Sequence, residues 1–84
     1  MNQASEYDVA VVGGAGHVGA PLSIVLADRG LRTLIVDLDE KALATIQAGS
    51  LPFVEEDGER LLRNALEQDM LGFTAKPDDV RAFR

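Results

Sequence analysis

The residues with the clearest chemical potential are Gly14, Gly16 and Gly19, in a Gly-x-Gly-x-x-Gly pattern just after the apolar run Val9-Ala10-Val11-Val12. With them belongs Asp37, which ends a second apolar run. Glycines in this pattern are common and mean little alone. Between a strand and a helix, with an acid ending the next strand, they form the pattern that holds a dinucleotide. Gly14 is expected to allow the tight turn out of the first strand, and Gly16 to leave room for a pyrophosphate against the backbone. Gly19 is expected to let the helix pack closely on the sheet. Ala15 sits inside the same turn. The first-turn N–H groups around Gly16, His17 and Val18 would face the phosphates, helped by about half a positive charge from the helix dipole. Asp37 is placed to accept hydrogen bonds from the adenosine ribose hydroxyls. Its charge would repel a 2′-phosphate, and Leu38 follows it in place of an arginine. NAD is therefore expected over NADP.

Two other groups invite a chemical role and do not gain one. His17 has no partnered nucleophile or base near it, so it reads as a surface residue or a phosphate neighbour. Glu55-Glu56-Asp57 reads as a solvated helix turn matched to the dipole, not as a metal site. No catalytic and no metal-binding residue is predicted.

The elements that must position these residues follow from hydropathy and punctuation. Tyr7 to Val12, without polar interruption after Asp8, reads as a strand of the kind buried on both faces in a parallel sheet. From His17 to about Arg29, Val18, Leu22, Val25 and Leu26 recur at helical spacing and mark the expected buried face, with Pro21 in the second turn and Gly30 as terminator. Arg32 to Asp37 is the second strand. Asp39 can cap a helix to about Ala48, with Leu43 and Ile46 inward and Gly49 closing it. Ser50 to Val54 is a loop. Glu56 to about Met70 is a helix with Leu61, Leu62, Ala65 and Leu66 on one face. Leu71 to Ala75 is a third strand, and Pro77 opens a further helix. Parallel strands with right-handed crossovers then give an α/β fold: a partial, Rossmann-type doubly wound sheet, its first three strands in the order 3-2-1. One edge of the first strand is left unpaired.

Composition sets the outer limits. The chain has 84 residues, 46% of them hydrophobic, one histidine, no cysteine and a formal net charge of -6. A complete dinucleotide-binding domain takes on the order of 150 residues, so residues 1–84 are expected to be its N-terminal half, without downstream domains. The acidic balance argues against a nucleic-acid partner. No apolar run approaches the roughly 20 residues of a membrane span, and the N-terminus does not read as a secretory signal; a cytoplasmic location is expected. Without cysteine the chain carries no disulfide, thiolate zinc site or thiol nucleophile.

Beyond the glycines, Gly14-Ala15-Gly16-His17-Val18-Gly19-Ala20-Pro21-Leu22 resembles the Gly-x-Gly-Tyr-Val-Gly-Leu-Pro-Leu opening of the UDP-glucose/GDP-mannose dehydrogenases, the nucleotide-sugar 6-dehydrogenases. Asp37-Leu38-Asp39 is similar to that family's Asp-x-Asp, and Ile46-Gln47-Ala48-Gly49 to its Leu-Asn-x-Gly. The loop Ser50 to Glu55 and the third strand Leu71-Gly72-Phe73-Thr74 follow in register. His17 replaces the usual tyrosine, and Glu56-Asp57-Gly58 replaces the Pro-Gly after the loop glutamate. The resemblance implies an NAD-dependent, two-step oxidation of a UDP- or GDP-sugar primary alcohol to the carboxylate. It places the cysteine nucleophile and the nucleotide-sugar site in later domains, and implies a homo-oligomer for the full-length protein. Within this chain it implies cofactor binding by Gly14, Ala15, Gly16, His17, Val18, Gly19 and Asp37. The competing readings are an NAD-binding regulatory sensor of the potassium-transport type and a truncated, nonfunctional remnant. Pro21 and the additional helix after Pro52 favour the enzyme segment over the sensor.

Overall fold

Among the described residues the glycine turn belongs to a unit of one parallel sheet and three helices. The computed structural model describes residues 7–51 and 57–76. Strand β1 (Val9–Val12) leads into helix α1 (Gly19–Asp28), then strand β2 (Thr33–Val36) and helix α2 (Glu40–Gln47). Helix α3 (Gly58–Glu67) and strand β3 (Leu71–Thr74) follow. The loop Pro52-Phe53-Val54, the acids Glu55 and Glu56, and the helix expected from Pro77 lie outside the described residues.

All pairings are parallel and the order is β3-β2-β1, as the crossover argument requires. Val12 stands beside Val36, and Val36 beside Thr74, so all three strands end level and deliver their following residues to one rim. The central strand β2 is buried along its whole length. Ile35 points into the main core with Ile24, Ile46 and Leu62, while Leu34 and Val36 point to the opposite face against Tyr7 and Ala10. β1 departs from the expectation of burial on both faces: it is half-buried, and Val12 is 74% exposed. Among the described residues β1 pairs with β2 alone, so an apolar composition suited to a central strand sits at an edge.

Helix α1 is rotated relative to the predicted face. Its buried residues are Gly19, Ala20, Ser23, Ile24 and Ala27, whereas Val18, Leu22 and Val25 are exposed. No charged residue interrupts positions 18–27, so apolar spacing does not define one face; the close seating of Gly19 on the preceding turn does. Small side chains then face the sheet, and the Ser23 hydroxyl donates to the Gly19 carbonyl at 2.7 Å. Since α1 starts at Gly19 rather than His17, Pro21 falls in its first turn. There its missing N–H is one that would lack a partner within the helix anyway, and no bend is required.

Helix α2 is capped as expected: the Asp39 carboxylate accepts from the Ala42 N–H at 3.0 Å. Leu43 and Ile46 are buried beneath it. Helix α3 is tied back to the end of α2. Glu59 accepts from the Leu51 N–H at 3.1 Å, and the Arg63 Nε donates to the Gly49 carbonyl at 3.2 Å. Leu62 and Ala65 form its buried face, with Leu61 and Leu66 half-buried beside them. Its reversal is made by Asp69 at φ 58°, an aspartate in the left-handed region where α1 and α2 end on Gly30 and Gly49.

Candidate functional site

The glycine turn and Asp37 meet at the carboxyl rim of the sheet. The turn leaves β1 through Gly13, whose φ of 78° is the left-handed conformation that glycine takes without steric cost. The N–H groups of Gly13 and Gly14 both donate to the Val36 carbonyl, at 2.7 and 3.2 Å, so the β1–β2 ladder carries on into the turn.

Each glycine has a distinct steric reason, and the distribution differs from the expected one. Gly13, not Gly14, takes the unusual backbone angle. A Cβ on Gly14 would stand 2.8 Å from both Ile35 Cγ2 and the Val11 carbonyl, so this glycine is imposed by the approach of the turn to β2. A Cβ on Gly19 would stand 2.7 Å from Gly14 Cα and 2.9 Å from the Gly13 carbonyl carbon. That glycine therefore seats the helix on the turn rather than on the sheet. Gly16 is different: a Cβ there meets the Gly13 oxygen at 3.5 Å, an ordinary contact. Packing within the protein does not account for Gly16.

The backbone donors sort themselves as sharply. The Gly16 N–H turns inward to the Gly13 carbonyl at 3.2 Å, contrary to the expectation that it faces outward, and the Ala20 N–H is held by the Gly16 carbonyl. Among the described residues, no protein acceptor meets the N–H of Val18 or of Gly19. His17 and Val18 are exposed on the turn, and Ala15 has its methyl buried in the main core.

Asp37 is half-buried one residue past β2. Its Oδ2 accepts from the Ala15 N–H at 3.0 Å and its Oδ1 from the Asp39 N–H at 3.0 Å. Beside it opens a cleft of about 250 Å³ lined by Val12, Gly13, Val36, Asp37 and Leu38. Val12 and Leu38, 74% and 75% exposed, are its apolar walls. The sequence marks both only indirectly, Val12 as the last residue of the first strand and Leu38 as the residue that follows the acid in place of an arginine. A ligand in this cleft would find apolar walls and a carboxylate with spare lone pairs.

A parallel α/β sheet with a glycine turn between its first strand and helix, and an acid at the tip of the second strand, defines a Rossmann-type dinucleotide-binding unit. The chain belongs to the UDP-glucose/GDP-mannose dehydrogenase family: residues 7–82 match that family's NAD binding domain. It is 34% identical, over 99% of its length, to the NDP-N-acetyl-D-galactosaminuronic acid dehydrogenase of Ralstonia nicotianae. Among solved structures it resembles the UDP-D-ManNAc dehydrogenase of Pyrococcus horikoshii, with a TM-score of 0.78, 26% identity, and coverage of 86% of this chain and 17% of that one. A UDP-glucose dehydrogenase from Pyrobaculum islandicum shares the fold across 99% of this chain and 19% of its own, with a TM-score of 0.82 at 24% identity. The chain spans about one fifth of the length of the curated relative from Ralstonia. No helix among the described residues is long and apolar enough to cross a membrane.

Proposed function

We propose that this chain binds NAD across the rim of its sheet, as the cofactor-binding N-terminal segment of a nucleotide-sugar 6-dehydrogenase. The observation that carries the reading is Gly16. It is a glycine in the middle of the turn that neither backbone angle nor internal packing demands, and a pyrophosphate lying against the backbone does demand it. The unpartnered N–H groups of Val18 and Gly19 supply donors for the phosphates at the positive end of α1. His17 and Ala15 contribute through the backbone shape of the same turn. The Asp37 carboxylate accepts from the ribose hydroxyls, and Val12 and Leu38 enclose the adenine.

NAD bound here would supply the hydride acceptor for oxidation of the primary alcohol of a UDP- or GDP-sugar. The chain's own residues bind and orient; with no cysteine among its 84 residues, it does not provide the thiol that the family resemblance implies for the second oxidation.

Thermal melting with and without dinucleotide tests the reading. A ligand that binds only the folded state stabilises it, by about 2.7 kcal/mol at one hundred times its Kd. NAD at millimolar concentration is expected to raise Tm, and NADP to raise it less, because the Asp37 carboxylate opposes the 2′-phosphate. Absence of a shift with NAD would overturn binding by this chain, and an equal shift with NADP would overturn the assignment of Asp37 to the ribose.

A further inference from the structure

The Asp37 carboxylate is already engaged by protein. Its Oδ2 takes the Ala15 N–H at 3.0 Å from a residue 22 positions away in the chain, and its Oδ1 takes the Asp39 N–H at 3.0 Å. Asp39 in turn caps α2 through the Ala42 N–H. Ala15 is 3% exposed, with its methyl in the main core. The turn is thus held from below by that methyl and from the side by the carboxylate.

We infer that Asp37 is a positioning residue for the phosphate-binding turn as well as an acceptor for the ribose, one carboxylate holding the turn in its binding shape before any ligand arrives. A carboxylate oxygen has two acceptor sites. One on each oxygen of Asp37 is spent on the backbone, and the rest of the group lines the cleft. The ribose end of the cleft and the glycine turn are therefore linked through a single side chain. A hydrogen bond to an ionised group is stronger than one between neutral groups, and here it fixes the orientation of the Gly14–Ala15 peptide. Preorganisation of this kind raises affinity by removing the cost of ordering the turn when the ligand binds.

The ligand half of this inference rests on the NAD reading above; the structural half does not. The experiment is amide hydrogen exchange of the ligand-free chain followed residue by residue by NMR, in wild type, Asp37→Ala and Asp37→Asn. Titrations with NAD and with adenosine, which carries the ribose and no phosphate, accompany it. Asp37→Asn keeps the size of the side chain and one acceptor oxygen, and serves if Asp37→Ala does not fold. The Ala15 amide is expected to exchange at least about tenfold faster in Asp37→Ala, and either the Ala15 or the Asp39 amide to do so in Asp37→Asn, which offers one oxygen where the carboxylate offers two. The Ile35 amide in β2 is expected to be unchanged, and NAD affinity to fall by a larger factor than adenosine affinity. Unchanged exchange at Ala15 in Asp37→Ala, or at both Ala15 and Asp39 in Asp37→Asn, would overturn the positioning role, as would equal losses for NAD and adenosine. If wild type binds neither ligand, the NAD reading fails, while the exchange comparison still decides whether Asp37 holds the turn.

Discussion

Gly19 rests directly on Gly14: a Cβ at Gly19 would lie 2.7 Å from the Gly14 Cα, closer than real side chains approach backbone. The first helix is thus seated against the turn from which it emerges. This contact sets the rotation of α1 and separates the roles of two glycines that look alike in the motif.

Gly19→Ala and Gly16→Ala should therefore behave in opposite ways. Gly19→Ala is expected to cost about 2 kcal/mol in urea unfolding, because its neighbours are backbone and cannot swing aside. Gly16→Ala is expected to stay within about 0.5 kcal/mol of wild type, yet to weaken NAD binding by at least about tenfold, or 1.4 kcal/mol, in calorimetric titration. A strongly destabilised Gly16→Ala would mean that the protein, not the ligand, requires that glycine.

The buried face of α1 can be tested by exchanging its large residues. Ile24 is 2% exposed in the main core and Leu22 is 48% exposed. Ile24→Ala is expected to cost about 2–5 kcal/mol, and Leu22→Ser less than about 0.5 kcal/mol. Equal losses in chemical denaturation would contradict the observed rotation.

Asp39 holds the start of α2 through the Ala42 N–H. Asp39→Ala is expected to lower stability by about 1 kcal/mol, the usual effect of losing an N-cap, without moving residues of β1. Circular dichroism through a urea titration reads the loss, and an unchanged midpoint would argue against the cap.

At the far end of the sheet, Tyr7 lies over Gly72, and the Arg32 guanidinium sits 5.0 Å from the centre of the Tyr7 ring. A methyl at position 72 would occupy the space of the phenol. Gly72→Ala is expected to expel the ring and shift the tyrosine fluorescence, which is unambiguous because the chain has one tyrosine and no tryptophan. A cost of about 1–3 kcal/mol should accompany it. Unaltered emission would show that the ring can be accommodated elsewhere without leaving the sheet.

The amino-acid order alone was enough for the strands, their parallel 3-2-1 arrangement, the Asp39 cap, the inward Leu43, Ile46, Leu62 and Ala65, and the place of Asp37 at the tip of the second strand. These rest on local signals: apolar runs, helical spacing on helices with polar faces, and glycines at helix ends. Three-dimensional packing decided the remainder. The rotation of α1 was hidden because residues 18–27 carry no charge to mark a solvent side. The division of labour among Gly13, Gly14, Gly16 and Gly19 depends on how near β2 and α1 come to the turn. The bond from Ala15 to Asp37 exists because the parallel register brings Gly13 and the end of β2 to the same rim. Spacing along a chain shows which residues can share a face; distances between residues far apart in sequence are set only when the sheet and helices pack.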